Sequence, residues 1–128
     1  MFQQTTSKNG SSVVSSVNVT TLAWSQTPLA SFIIPGEATQ GKAAVMEAVQ
    51  RKGDEPPAHS HPETDETYYV IEGQLTFTVA GKTVSAPAGT SIFIERGQEH
   101  SFVVETETAN TLVLLLPAPA ENVQISVK

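Results

Sequence analysis

The chain contains no cysteine. That absence excludes a disulfide scaffold, thiolate zinc sites, thiolate-ligated iron–sulfur clusters and cysteine nucleophiles. Any transition-metal site must be built from histidine and carboxylate. Basic residues are scarce: 7 Lys and Arg stand against 13 Asp and Glu, for a formal net charge of −6. Without a basic cluster the chain has little to offer a phosphate backbone, so nucleic acid is not an expected partner. Long apolar runs are also missing. The longest clean one is LVLLL at 112–116, far short of the roughly 20 residues a membrane helix needs. The opening stretch MFQQTTSKNGSSVVSSVNVTT has no apolar core behind a basic start, so neither a secretory signal nor a membrane partner is expected. A cytoplasmic location is the simplest expectation.

What is present is β-prone sequence divided by turn residues. A length of 128 residues with 39% hydrophobic and 16% charged side chains suits a single globular domain. Residues 1–12, rich in Ser, Thr, Gln and Asn, read as a flexible polar leader, and residues 13–128 as one β domain. Val17, Val19, Leu22 and Trp24 alternate with polar residues as in half-buried strands. Residues 42–51 contain helix formers, yet they lie between the Gln40-Gly41 and Gly53 breakers, which favours a strand. Strands are predicted over 67–72, 74–79, 91–94, 100–104 and 111–116, with an edge strand over 123–127. Ala80-Gly81-Lys82 is a hairpin signal. Many short strands closely spaced by turns indicate an all-β sandwich or barrel with few or no helices.

The three histidines carry most of the chemical information. His59 and His61 are one residue apart, and on a strand such side chains point the same way. Glu66 follows a short polar loop, and His100 opens a later strand. A His-x-His pair alone is more often a solvated loop or a satisfied polar pair. Three imidazoles and a carboxylate converging inside a barrel would instead make a mononuclear site for a divalent first-row metal. With a dication such a site carries net +1, which favours an anionic or enolisable oxygen ligand.

These residues resemble the cupin family. Gly53, five residues, His59-Ser60-His61, four residues, Glu66, six residues and Gly73 follow the spacing of the first cupin motif. Gly89, five residues, Glu95-Arg96-Gly97, two residues and His100 follow the second. Two positions depart from it: Glu95 stands where proline is usual and Val104 where asparagine is usual. The proline would stiffen the turn ahead of the last histidine, so its loss is expected to loosen that loop. The stretches IPGEATQG at 34–41, PPAHSH at 56–61 and LLLPAP at 114–119 are similar to the quercetin 2,3-dioxygenase-like branch of small cupins.

The resemblance implies a double-stranded β-helix, or jelly-roll barrel. It implies one divalent transition metal (Fe, Mn, Ni, Co, Cu or Zn) held by His59, His61, Glu66 and His100. It further implies a dioxygenase-like oxidoreductase acting on a small enolisable or aromatic compound, with dioxygen as co-substrate and Glu66 either as the catalytic proton acceptor or as a lasting ligand while another base acts. Tyr68 and Val70 share the strand parity of Glu66, and Phe102 that of His100. With Phe77 these are candidates for the substrate-pocket wall, Tyr68 first because of its hydroxyl. Phe93, Trp24 and Met46 are further candidates, and ordinary barrel core is the alternative for each aromatic. A non-catalytic metal- or ligand-binding cupin, or a metal-dependent isomerase or epimerase, are the other classes in view. The second of these is weakened because the motif region offers only Lys82 and Arg96 to pair with a phosphate. Residues 13–24 could pair with a second subunit, so a homodimer is expected.

Overall fold

Strict alternation of apolar and polar residues dictates two layers of strands with one shared interior. The computed structural model describes residues 30–119 and, as backbone, the short strands β1 (Gln4–Thr6) and β2 (Ser12–Val14), which pair with each other. The expected strands within 17–24 and 123–127, and most of the proposed dimer arm at 13–24, lie outside the described residues. Eight further strands follow: β3 (Ala30–Ile34), β4 (Ala44–Arg51), β5 (Asp65–Glu72), β6 (Gln74–Val79), β7 (Lys82–Pro87), β8 (Ser91–Ile94), β9 (His100–Val104) and β10 (Thr108–Leu116). They form a five-stranded sheet, β3-β4-β10-β5-β8, and a three-stranded sheet, β7-β6-β9. All of these pairings are antiparallel. A single 3-10 turn, Gly36–Thr39, is the only helical element among the described residues. The architecture is that of a double-stranded β-helix.

The predicted strands at 74–79, 91–94 and 100–104 coincide with β6, β8 and β9. Residues 44–51 are a strand, as their flanking breakers require. Strand β5 begins two residues earlier than its apolar pattern, because Asp65 and Glu66 pair with Leu116 and Leu115 of β10. Glu66 therefore sits inside a strand, not at its mouth. Strand β3 shows no clean alternation of burial, and that is why its sequence gave no signal.

Inward-facing residues at alternate positions fill the interior: Met46 from β4, Val70 from β5, Leu75 and Phe77 from β6, Phe102 from β9 and Val113 from β10. Between β5 and β6 the chain changes sheets through Gly73, at φ +89°. A Cβ there would lie 2.6 Å from the Thr108 carbonyl oxygen and 2.8 Å from the Ala109 Cα. Only glycine satisfies both the dihedral and the close approach of β10.

Candidate metal centre

The period-2 geometry that builds the core also aims the polar groups. Strand β5 turns Glu66, Tyr68 and Val70 to the interior, and β9 turns His100, Phe102 and Val104. His59 precedes β5 in an extended segment tied to β9 by two backbone bonds. The His59 N–H donates to the His100 carbonyl at 3.0 Å, and the His100 N–H to the His59 carbonyl at 2.9 Å. The His61 carbonyl accepts the Gly97 N–H at 2.9 Å. These ties gather the side chains that the sequence separates. One ring nitrogen from each of His59, His61 and His100 lies within 4.8 Å of the others. Glu66 Oε1 is 3.1 Å from His100 Nε2 and 3.6 Å from His61 Nε2.

The tautomers follow from the backbone. His59 Nδ1 donates to the Pro57 carbonyl at 2.8 Å, and His100 Nδ1 to the Gln98 carbonyl at 3.0 Å. Carbonyls only accept, so Nδ1 carries the hydrogen and Nε2 of the neutral ring presents its lone pair to the centre. Burial pulls the His59 and His61 imidazoles below their usual range, against the upward pull of Glu66. Burial also pulls His100 down, but its contact with Glu66 and the Gln98 carbonyl outweigh it and set it above the usual value.

Glu66 is fully buried, and neither of its carboxylate oxygens makes a hydrogen bond of good geometry with the described residues. A carboxylate taken from water in that way is costly unless a positive charge compensates it. A dication held by Glu66 and the three imidazoles would do so, and N/O donor sets of this kind suit first-row divalent metals. The residues present therefore fit a metal.

Comparison with known proteins agrees with this geometry. Residues 45–116, more than half the chain, match the family model described as a cupin domain. The chain belongs to the cupin family. It is 27% identical over 79 residues to a quercetin 2,3-dioxygenase of Bacillus subtilis (strain 168), a stretch covering 62% of this chain but only 23% of that protein. Among solved structures, KdgF from Halomonas sp. has a TM-score of 0.65 at 14% identity, covering 75% of this chain and 86% of its own. An RmlC-like cupin from Shewanella frigidimarina NCIMB 400 has a TM-score of 0.59 at 25% identity, covering 65% and 73% respectively.

The two departures from the cupin motif have visible compensations. Glu95 is exposed and does not enter the barrel. Its N–H, which a proline would lack, donates to Gln98 Oε1 at 2.9 Å, and the Gln98 N–H returns a bond to the Glu95 carbonyl at 3.1 Å. The turn is thus laced by hydrogen bonds instead of a pyrrolidine ring. Val104 is buried core, and its backbone N–H donates to Glu55 Oε2 at 2.9 Å. Glu55 Oε1 accepts the Gly53 N–H at 3.1 Å, so one carboxylate binds the first motif to β9.

Burial pushes the Glu55 carboxyl up, but the amides it accepts and the nearby Lys52 outweigh that and hold it below its ordinary value of 4.5. With the folded value depressed, its contribution to stability is complete above the ordinary carboxylate range. It is lost as pH falls through the lower folded value. Glu55→Ala should destabilise the fold by about 1–3 kcal/mol near neutral pH, since it orphans the Val104 amide. The difference from the parent should shrink in strong acid. Urea unfolding at both conditions checks the sign.

The pocket candidates Tyr68, Val70, Phe77 and Phe102 all lie in the packed core. The Tyr68 ring centroid is 5.0 Å from that of Phe77 and 6.0 Å from that of Phe102, and Phe77 and Phe102 are 5.4 Å apart. Tyr68 is the one of them that meets the polar centre: burial first, then the Glu66 charge, drives its phenol well above the usual tyrosine value. It therefore stays a neutral phenol. Met46 is core, Phe93 faces outward from β8, and Trp24 lies outside the described residues. Sequence reasoning missed Glu55 and the pairing of Asp65 with Arg96, described below. An acidic residue inside the first motif's five-residue gap was the available signal for Glu55.

Proposed function

We propose that this cupin holds one divalent first-row transition metal through His59, His61, His100 and Glu66. On this reading it acts as a dioxygenase-like oxidoreductase on a small compound bearing an enolisable or aromatic hydroxyl. The observation that carries the reading is the buried Glu66 carboxylate set among three imidazoles. Similarity to a quercetin 2,3-dioxygenase supports the reaction class, and the rest of that much longer protein has no counterpart in the stretch compared.

When bound, the metal supplies charge stabilisation for an enolate-type oxygen and, where redox-active, a path for electrons. Glu66 faces the same point and accepts the proton of the substrate hydroxyl. His59 and His100, held by the Pro57 and Gln98 carbonyls, stay fixed in orientation as charge develops. The aromatic floor of Tyr68, Phe77 and Phe102 keeps water from below. The partners on this reading are a small organic substrate and dioxygen, in the cytoplasm, with a homodimer formed through residues 13–24.

The second reading is a cupin that binds a small ligand at the same centre without turning it over. An isomerase acting on a sugar phosphate fits less well, since Arg96 is engaged by Asp65. Oxygen uptake separates the classes. Metal-loaded protein should consume dioxygen with at least one flavonol or enolisable diketone of a panel, read with an oxygen electrode. Metal-loaded protein that binds such compounds without oxygen uptake is a binder.

A further inference from the structure

The four residues of the centre come from two motifs, and a single loop, residues 95–98, touches the supports of three of them. Gly97 donates its N–H to the His61 carbonyl, and Gln98 gives its carbonyl to His100 Nδ1. Arg96 reaches the strand that carries Glu66. Its backbone N–H donates to Asp65 Oδ1 at 2.9 Å, its Nε to the same oxygen at 3.1 Å, and an Nη to Oδ2 at 3.2 Å. Asp65 adjoins Glu66 on β5, and Arg96 adjoins Gly97. A bidentate pair of this kind fixes direction as well as distance.

We propose that the Arg96–Asp65 pair is the positioning clamp of this metal centre, locking the 95–98 loop so that His61, Glu66 and His100 keep one common focus. The proposal rests on the metal reading above. The clamp takes over, in this chain, the stiffening that a proline at position 95 would have given. Arg96 is half exposed, so the pair itself adds little to global stability; its effect is on the geometry of the centre. Glu63 and Glu95 also act on Arg96 electrostatically, leaving other acids to engage it when Asp65 alone is removed. Arg96 is therefore the residue to substitute.

The test compares the full-length parent with Arg96→Ala and Arg96→Lys. Co2+ affinity is measured by chelator competition, with the visible absorption of bound Co2+ as a spectroscopic signature. Exchange of the Gly97 amide and the urea midpoint are measured on metal-free protein. Arg96→Ala should bind Co2+ about 10–100-fold more weakly, the cost usual for losing an outer-shell support. Its Co2+ spectrum should change, its Gly97 amide should exchange faster, and its urea midpoint should hardly move. Both variants keep the backbone N–H bond to Asp65; Arg96→Lys also keeps the charge and should recover part of the affinity. Unchanged Co2+ affinity and spectrum in Arg96→Ala overturn the clamp, whatever the exchange rate. Failure of the parent itself to bind Co2+ overturns the metal reading, and the clamp's role at the centre with it.

Discussion

Replacing His100 with alanine should weaken divalent-metal binding by more than the roughly 10–100-fold that loss of an outer support costs, because it removes a donor outright. His100 is the residue on which most of the site's ties meet. Its backbone exchanges two hydrogen bonds with His59, its Nδ1 is held by Gln98, and its Nε2 lies 3.1 Å from Glu66. The substitution leaves the backbone bridge to His59 in place, so the barrel should survive with Glu66 still buried. Metal competition titration, with circular dichroism to verify the fold, reads the effect. Parent-like affinity in a folded His100→Ala protein would remove His100 from the ligand set.

Phe77→Ala should cost about 3–5 kcal/mol of unfolding free energy, the range for emptying a buried phenylalanine site. The ring is fully buried between Tyr68 and Phe102. Phe77 also faces Phe102 across the β6–β9 ladder, one inward position from His100, while Tyr68 is one inward position from Glu66. The cavity therefore opens directly beneath the polar centre. Domains of this size are stable by only about 5–15 kcal/mol, so the urea midpoint should fall by a large fraction. A change below about 1 kcal/mol would mean the aromatic floor is not packed as described.

How far the sequence revealed the site depended on which residues obey a local rule. Strands such as β6 and β9 alternate cleanly, and their limits were legible to the residue. His59, His61, Glu66 and His100 were legible through fixed spacing. Strand β3 and the early start of β5 were not, because pairing with β4 and β10 decides them and no local pattern announces it. The same holds for the loop ahead of His100. Glu95 in place of proline implies looseness when read alone. The compensating bonds come from Gln98, three residues on, and through Arg96 from Asp65, thirty-one positions back in the chain. The aromatic positions illustrate the opposite limit: strand parity predicts that Tyr68 and Phe102 point inward, but not whether they line a chamber or pack together.

The central claim is that His59, His61, Glu66 and His100 hold one divalent metal. Elemental analysis of untagged protein, purified without chelators and quantified per chain, tests it most directly. About one equivalent of a first-row transition metal is the expected result, and less than about a tenth of an equivalent, with none taken up when metal is added back, would contradict it.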